Sequence, residues 1–136
     1  MKRHVLLISA LLICFTHMAS AELAPSTALS KAESYVAVLD QQDYAKAYLQ
    51  SSNLLKMQTP QADWINQQKT AIQLLGPVQE RRLMAIKARD VYPGLPDGRY
   101  LIVCFETRTV HKAKAIEVLL LKEEKEDWQV CNYSIR

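Results

Sequence analysis

The spacing of apolar side chains changes once along this chain of 136 residues. Up to about residue 76 they recur every three or four positions, and beyond residue 78 they alternate. Ala28, Ala32, Tyr35, Val36 and Leu39 make one helical stripe and predict a first helix over about 27–39. Ser30 and Glu33 fit a capping box, with Pro25-Ser26 as an earlier possible start. Asp40-Gln41-Gln42-Asp43 interrupts the stripe, and Tyr44, Ala47 and Tyr48 share one side of a short second helix. A third helix is expected with Thr59 as N-cap, Pro60 at its first position and Asp63 in its first turn, where the helix dipole favours an acid. Trp64, Ile65, Ala71, Ile72 and Leu75 form its buried side, and Gly76-Pro77 stops it.

Segments 80–91, 99–107, 113–123 and 128–135 read as strands. They are separated by Pro93 to Gly98, by Arg108 to Lys112 and by the charged turn Glu124 to Asp127. Helices followed by consecutive strands predict an α+β domain, with three N-terminal helices packed on one face of a four-stranded antiparallel meander.

The amino terminus has a different pattern. Lys2 and Arg3 precede an apolar run from Val5 to Phe15, and Ala19-Ser20-Ala21 offers a small-x-small cleavage site. We therefore expect residues 1–21 to be a signal peptide cut after Ala21, and 22–136 to be one exported domain, periplasmic or secreted. The run is shorter than the roughly 20 residues that span a bilayer, so no stable membrane anchor is expected. Cys14 would suggest lipidation, but Ile13 before it is not the small residue that modification needs. The remaining length, about 115 residues, suits a single core. Lys2 and Arg3 leave with the signal, lowering the net charge of +3 by two. Such a balance argues against nucleic acid or an anionic membrane as principal partner.

Beyond the signal the cysteines are Cys104 and Cys131. Centring the 108–112 connection at residue 110 sets Cys104 opposite Ile116 and Glu106 opposite Lys114. Centring the last turn at 125 sets Cys131 opposite Leu119 and Glu117 opposite Tyr133. The cysteines then lie two strands apart on opposite faces. Strands two apart are nearly 10 Å from one another, beyond the roughly 7 Å limit for a disulfide, so two free thiols are expected.

No nucleophile–base pair, metal-ligand set or nucleotide loop stands out, and no cofactor is expected. His111 is the one histidine beyond the signal and falls in a loop. Glu117 lies within Ile116 and Val118 to Leu121, an apolar stretch. As a buried carboxylate it could serve as general acid or base with Tyr133, or be a structural acid held by Tyr133 or by Arg81, Arg82 or Arg136. Trp64, Tyr48 and Arg81 are further candidates for ligand contacts, although aromatics at this spacing are usually core. Residues 113–121 are largely apolar on both faces, so a homodimer through the uncovered sheet face is expected.

The carboxy-terminal stretch carries a Pro93 to Gly98 turn, Phe105-Glu106-Thr107, Lys112-Ala113 with Glu117, and Trp128, Val130, Tyr133, Ile135 and Arg136. With the upstream Leu39 to Tyr48, it resembles an uncharacterised bacterial exported family, domain-of-unknown-function family 4019. Its members often have glycine at the place of Gln42. The resemblance implies a cystatin-like or nuclear-transport-factor-2-like architecture, helices laid into a curved sheet, and supplies no activity. The expectation is thus a non-enzymatic module that binds a partner protein or a small apolar ligand. The alternative is a cleft enzyme, a hydrolase or isomerase, using Glu117 and Tyr133.

Overall fold

The computed structural model describes residues 25–136. The expected signal peptide and its cleavage at Ala21 lie outside the described residues.

Helix α1 (Pro25–Asp40) starts at the earlier of the two candidate points, so Ser30 and Glu33 fall inside it and do not cap it. Proline's missing N–H and fixed φ suit a first helical turn. The residues α1 buries are Ala28, Ala32, Tyr35, Val36 and Leu39, the stripe expected. Gln42 then turns the chain at φ 58°. Glycine adopts that left-handed conformation without a Cβ penalty, a physical reason for the glycine that the family resemblance anticipates there. Asp43 accepts from the Lys46 N–H and opens α2 (Tyr44–Gln50).

Two further helices follow where one was expected, α3 (Asn53–Gln58) and α4 (Gln61–Leu75). Ser51 and Ser52 are extended. The Ser52 hydroxyl accepts from the Leu54 N–H at 3.0 Å, and its own N–H donates to the Val130 carbonyl at 2.8 Å. This tie to the sheet, with its local cap, starts α3. Thr59 consequently ends α3 and does not begin α4; Pro60 is the α4 N-cap and makes no side-chain capping bond. Asp63 is in the first turn as expected. Gly76 closes α4 at φ 74°, and a Cβ there would come within 2.9 Å of both Val110 and His111, so glycine is required twice over.

The strands are β1 (Val78–Arg89), β2 (Tyr100–Thr109), β3 (Ala115–Glu124) and β4 (Asp127–Ile135), antiparallel in the order β1-β2-β3-β4. The β2–β3 register differs by two residues from that expected: Cys104 faces Val118 and Glu106 faces Ile116. The connection is anchored one residue later, by Val110 and His111 N–H groups donating to Pro77 and Leu75 carbonyls at the end of α4. Lys114 is thus not opposite Glu106, whose ion pair is with Arg82, its neighbour in the separate β1–β2 pairing, at 3.0 Å.

In β3–β4, Leu119 faces Tyr133 and Glu117 faces Ile135. The register slips between Leu120 and Leu121, leaving Cys131 unpaired as a bulge. The bulge turns Cys131 to the outer face, where it packs with Tyr100 and Leu120 and its thiol donates to the Leu120 carbonyl. Cys104 shares that face, a correction to the expected opposite placement. Both thiols are free, and β3 separates their strands.

The helices cover the inner face, burying Leu101, Val103, Phe105, Leu119, Leu121 and Trp128. The outer face, expected to be bare, is roofed at one end. Tyr92 and Leu95 from the β1–β2 loop and Leu54 from α3 pack on Tyr100, Leu120 and Cys131. None of the described helices is long and apolar enough to cross a membrane.

Candidate functional site

The odd positions of β2 and β3 face the helices, so Glu117 is carried inward and is 1% exposed. Sheet pairing builds its surroundings. Arg81 lies opposite Thr107 across β1–β2, Phe105 lies opposite Glu117, and Tyr133 comes from β4 one pair further along the face. A row of polar side chains thus crosses all four strands within an apolar interior.

Each Glu117 oxygen accepts two hydrogen bonds. Oε2 accepts from Arg81 Nε at 2.5 Å and from the Thr107 hydroxyl at 2.8 Å. Oε1 accepts from Arg81 Nη2 at 3.1 Å and from the Tyr133 hydroxyl at 2.8 Å. A carboxylate offers about four acceptor positions, and all are used. Asp40, the last residue of α1, takes the other side of the guanidinium with two bonds of 2.9 Å, and the Arg81 Cζ lies 5.9 Å from the Phe105 ring centroid. Burial works against the Arg81 charge, but hydrogen bonds to Asp40 and Glu117, with their negative charge, outweigh it and raise its pKa. Burial, reinforced by the Glu117 charge, raises the Tyr133 pKa well above the ordinary phenol value, so Tyr133 remains a donor.

A cleft opens beside this row, between α4, the α1–α2 turn and the ends of β1 and β4. Its volume is about 80 Å³, and Leu39, Tyr44, Ala71, Ile72, Val78 and Ile135 supply much of its wall. Asp40, Gln42, Gln68 and Tyr133 also line it. The cleft follows from uneven side-chain burial along α4, although the Leu75 carbonyl at its end accepts from the His111 N–H and the Thr109 hydroxyl. Trp64 is its buried residue and meets Tyr48 in a tilted ring pair with centroids 5.8 Å apart, while Ile72 and Leu75 are half-buried and Leu74 is 72% exposed. Tyr44 is 7% exposed, and its hydroxyl is a buried polar atom without a hydrogen-bond partner. Burial raises its pKa, so this hydroxyl also keeps its proton.

The candidate residues fall into three groups. Glu117, Tyr133 and Arg81 meet in one cluster. Trp64 and Tyr48 are packed against each other in the core and do not line the cleft; the Tyr48 hydroxyl donates to the Thr59 carbonyl at 2.8 Å. His111 is exposed in its loop. Sequence reasoning missed Asp40, Thr107 and Tyr44. Asp40 reads as a solvated turn acid and Thr107 as a strand end, and neither carries a local signal of the arginine between them. Among the described residues, no group of three His, Cys, Asp or Glu side chains could hold a metal.

A family model described as "Protein of unknown function (DUF4019)" matches residues 31–133. No curated protein and no solved structure matches the chain.

Proposed function

We propose, given that the chain belongs to the DUF4019 family of proteins of unknown function, that it is an exported, non-enzymatic module that takes a small apolar ligand into the α4 cleft. The observation that carries this reading is the saturated Glu117. A general base needs a free lone pair and a general acid a transferable proton. Glu117 spends its acceptor positions on Arg81, Thr107 and Tyr133. The cleft-enzyme alternative therefore loses its central residue, and the cluster reads as the polar rivet beneath an apolar cleft. Export rests on the amino-terminal pattern of residues 1–21. We infer a cystatin-like or nuclear-transport-factor-2-like arrangement from the resemblance together with helices on one face of an antiparallel meander. A mostly apolar cleft with a few polar groups on its wall is the usual form of a small-molecule site.

Native mass spectrometry of protein purified without detergent from its own cells tests this. The expected result is an added mass that is lost on mild activation and released into organic solvent. Protein that carries no added mass, and that gains none from a denatured extract of the same cells, would overturn the reading.

A further inference from the structure

We infer that the cleft ligand is an uncharged apolar molecule bearing one hydrogen-bond acceptor, and that the Tyr44 hydroxyl is the donor that recognises it. This rests on the binding reading above and adds the chemistry of the ligand. Three observations lead to it.

The first is the orphan hydroxyl. Buried polar atoms in proteins are nearly always partnered, because an unmade bond leaves the desolvation of the group uncompensated. The Tyr44 hydroxyl is the buried side-chain polar atom left without a partner among the described residues. Its neighbours show the usual outcome: Tyr35 bonds the Ser51 hydroxyl, Tyr48 the Thr59 carbonyl and Tyr133 the Glu117 carboxylate. Tyr44 is itself part of the cleft wall. Bulk water does not reach it as the side chain stands, and a small swing of the side chain about χ1 toward the cleft it lines would let an acceptor on a seated molecule complete the bond.

The second observation is charge. Among the described residues lining the cleft, Asp40 is the charged one, and Arg81 already holds both its oxygens. An anion would face this carboxylate, and a cation would have to compete with a bidentate guanidinium. A neutral molecule meets neither difficulty.

The third is size and lining. At roughly 10–15 Å³ of free volume per water-sized group, the cleft holds about six such groups. That suits a single ring or a short branched chain, seated against Leu39, Ile72 and Ile135.

Cyclohexanone and methylenecyclohexane share shape and differ in one acceptor oxygen, which makes them suitable probes. Each is titrated into isotope-labelled protein, and amide shifts of Leu39, Tyr44, Ile72 and Ile135 are followed by NMR. We expect both to move these amides, with the ketone binding about three- to tenfold more tightly, the worth of one net hydrogen bond. Tyr44→Phe removes no existing bond, so the variant should stay folded with a melting temperature no lower than the parent, and the ketone's advantage should vanish. Cyclohexanecarboxylate should bind more weakly than the ketone. Equal affinity of ketone and alkene in the parent, or a preference that survives Tyr44→Phe, would overturn the donor role while leaving the apolar cleft in place. Absence of any shift at the lining amides with either probe would remove the cleft as a ligand site altogether.

Discussion

Glu117 shows how a single acid inside an apolar strand can be stabilising or ruinous depending on three other residues. An isolated ionised carboxylate in the interior is strongly unfavourable, and it is tolerated when paired and fully hydrogen-bonded. Removing one partner should therefore do more harm than removing both. We expect Arg81→Met, which strands Glu117, to lower the unfolding free energy by about 3–5 kcal/mol. Glu117→Leu, which leaves Arg81 to Asp40, should fall in the lower part of that range. The double variant should be more stable than the sum of the two losses allows, and urea unfolding of the four proteins measures this. Additive losses would mean that the pair does not act as a unit.

The pattern made Glu117 and Tyr133 conspicuous, and it placed Arg81 among three possible partners. The choice among Arg81, Arg82 and Arg136 depends on which face each presents. In β1 that is decided by register: Arg81 pairs with inward Thr107, whereas Arg82 pairs with outward Glu106. Tyr44 was legible as a core aromatic; only the neighbours that fail to reach its hydroxyl mark it as more.

At the scale of elements, the β4 bulge has the clearest chemical consequence. It turns Cys131 onto the outer face beneath Tyr92, Leu95 and Leu54. There burial, helped by the charge of Glu124, pushes its thiol up to about 12. The folded value lies above that of an unfolded thiol, near 8.5. The thiol's contribution to stability is thus complete below the unfolded value and is lost as pH rises from there toward 12. Urea midpoints should fall over that interval, and less steeply in Cys131→Ala. Iodoacetamide at pH 8 should label the half-buried Cys104 first and Cys131 only after denaturation, with both thiols modified in the end. A slope unchanged by Cys131→Ala would show that other groups, the buried tyrosines included, carry the alkaline loss. The helical elements divide in a similar way. The stripe of α1 was readable residue by residue, but Thr59 was misplaced because α3 depends on Ser52 reaching the sheet, a contact 78 residues away in sequence at Val130.

At the scale of the molecule, the outer face is narrower than the alternating pattern implied. The 90–99 loop roofs one end, and ion pairs Arg82–Glu106 and Arg108–Glu80 occupy the other. Between them Ile102, Cys104, Ile116 and Val118 remain half-buried. Pairing of two copies through this face stays a proposal with that smaller footing, since a two-fold contact would bury this strip. Light scattering at micromolar concentration should then report twice the monomer mass, and Ile116→Lys should halve it. A parent protein of monomer mass would remove the proposal.

What the sequence determined by itself is what depends on near neighbours. The change of period from helical to alternating set the α+β class and the order of helices before four strands, because each follows from side-chain direction over a few residues. Gly76 ended α4 for a local reason too, its left-handed φ. The tertiary structure decided whatever depends on residues far apart in the chain. A two-residue change in register keeps every side chain on its face and so leaves no trace in the pattern, yet it put Ile116 in place of Lys114 opposite Glu106. The closing of Asp40, Arg81, Thr107 and Tyr133 around Glu117 belongs to the same class. So does the cleft under α4, because an apolar stripe specifies what a helix seeks to bury but not whether the fold brings enough surface to cover it.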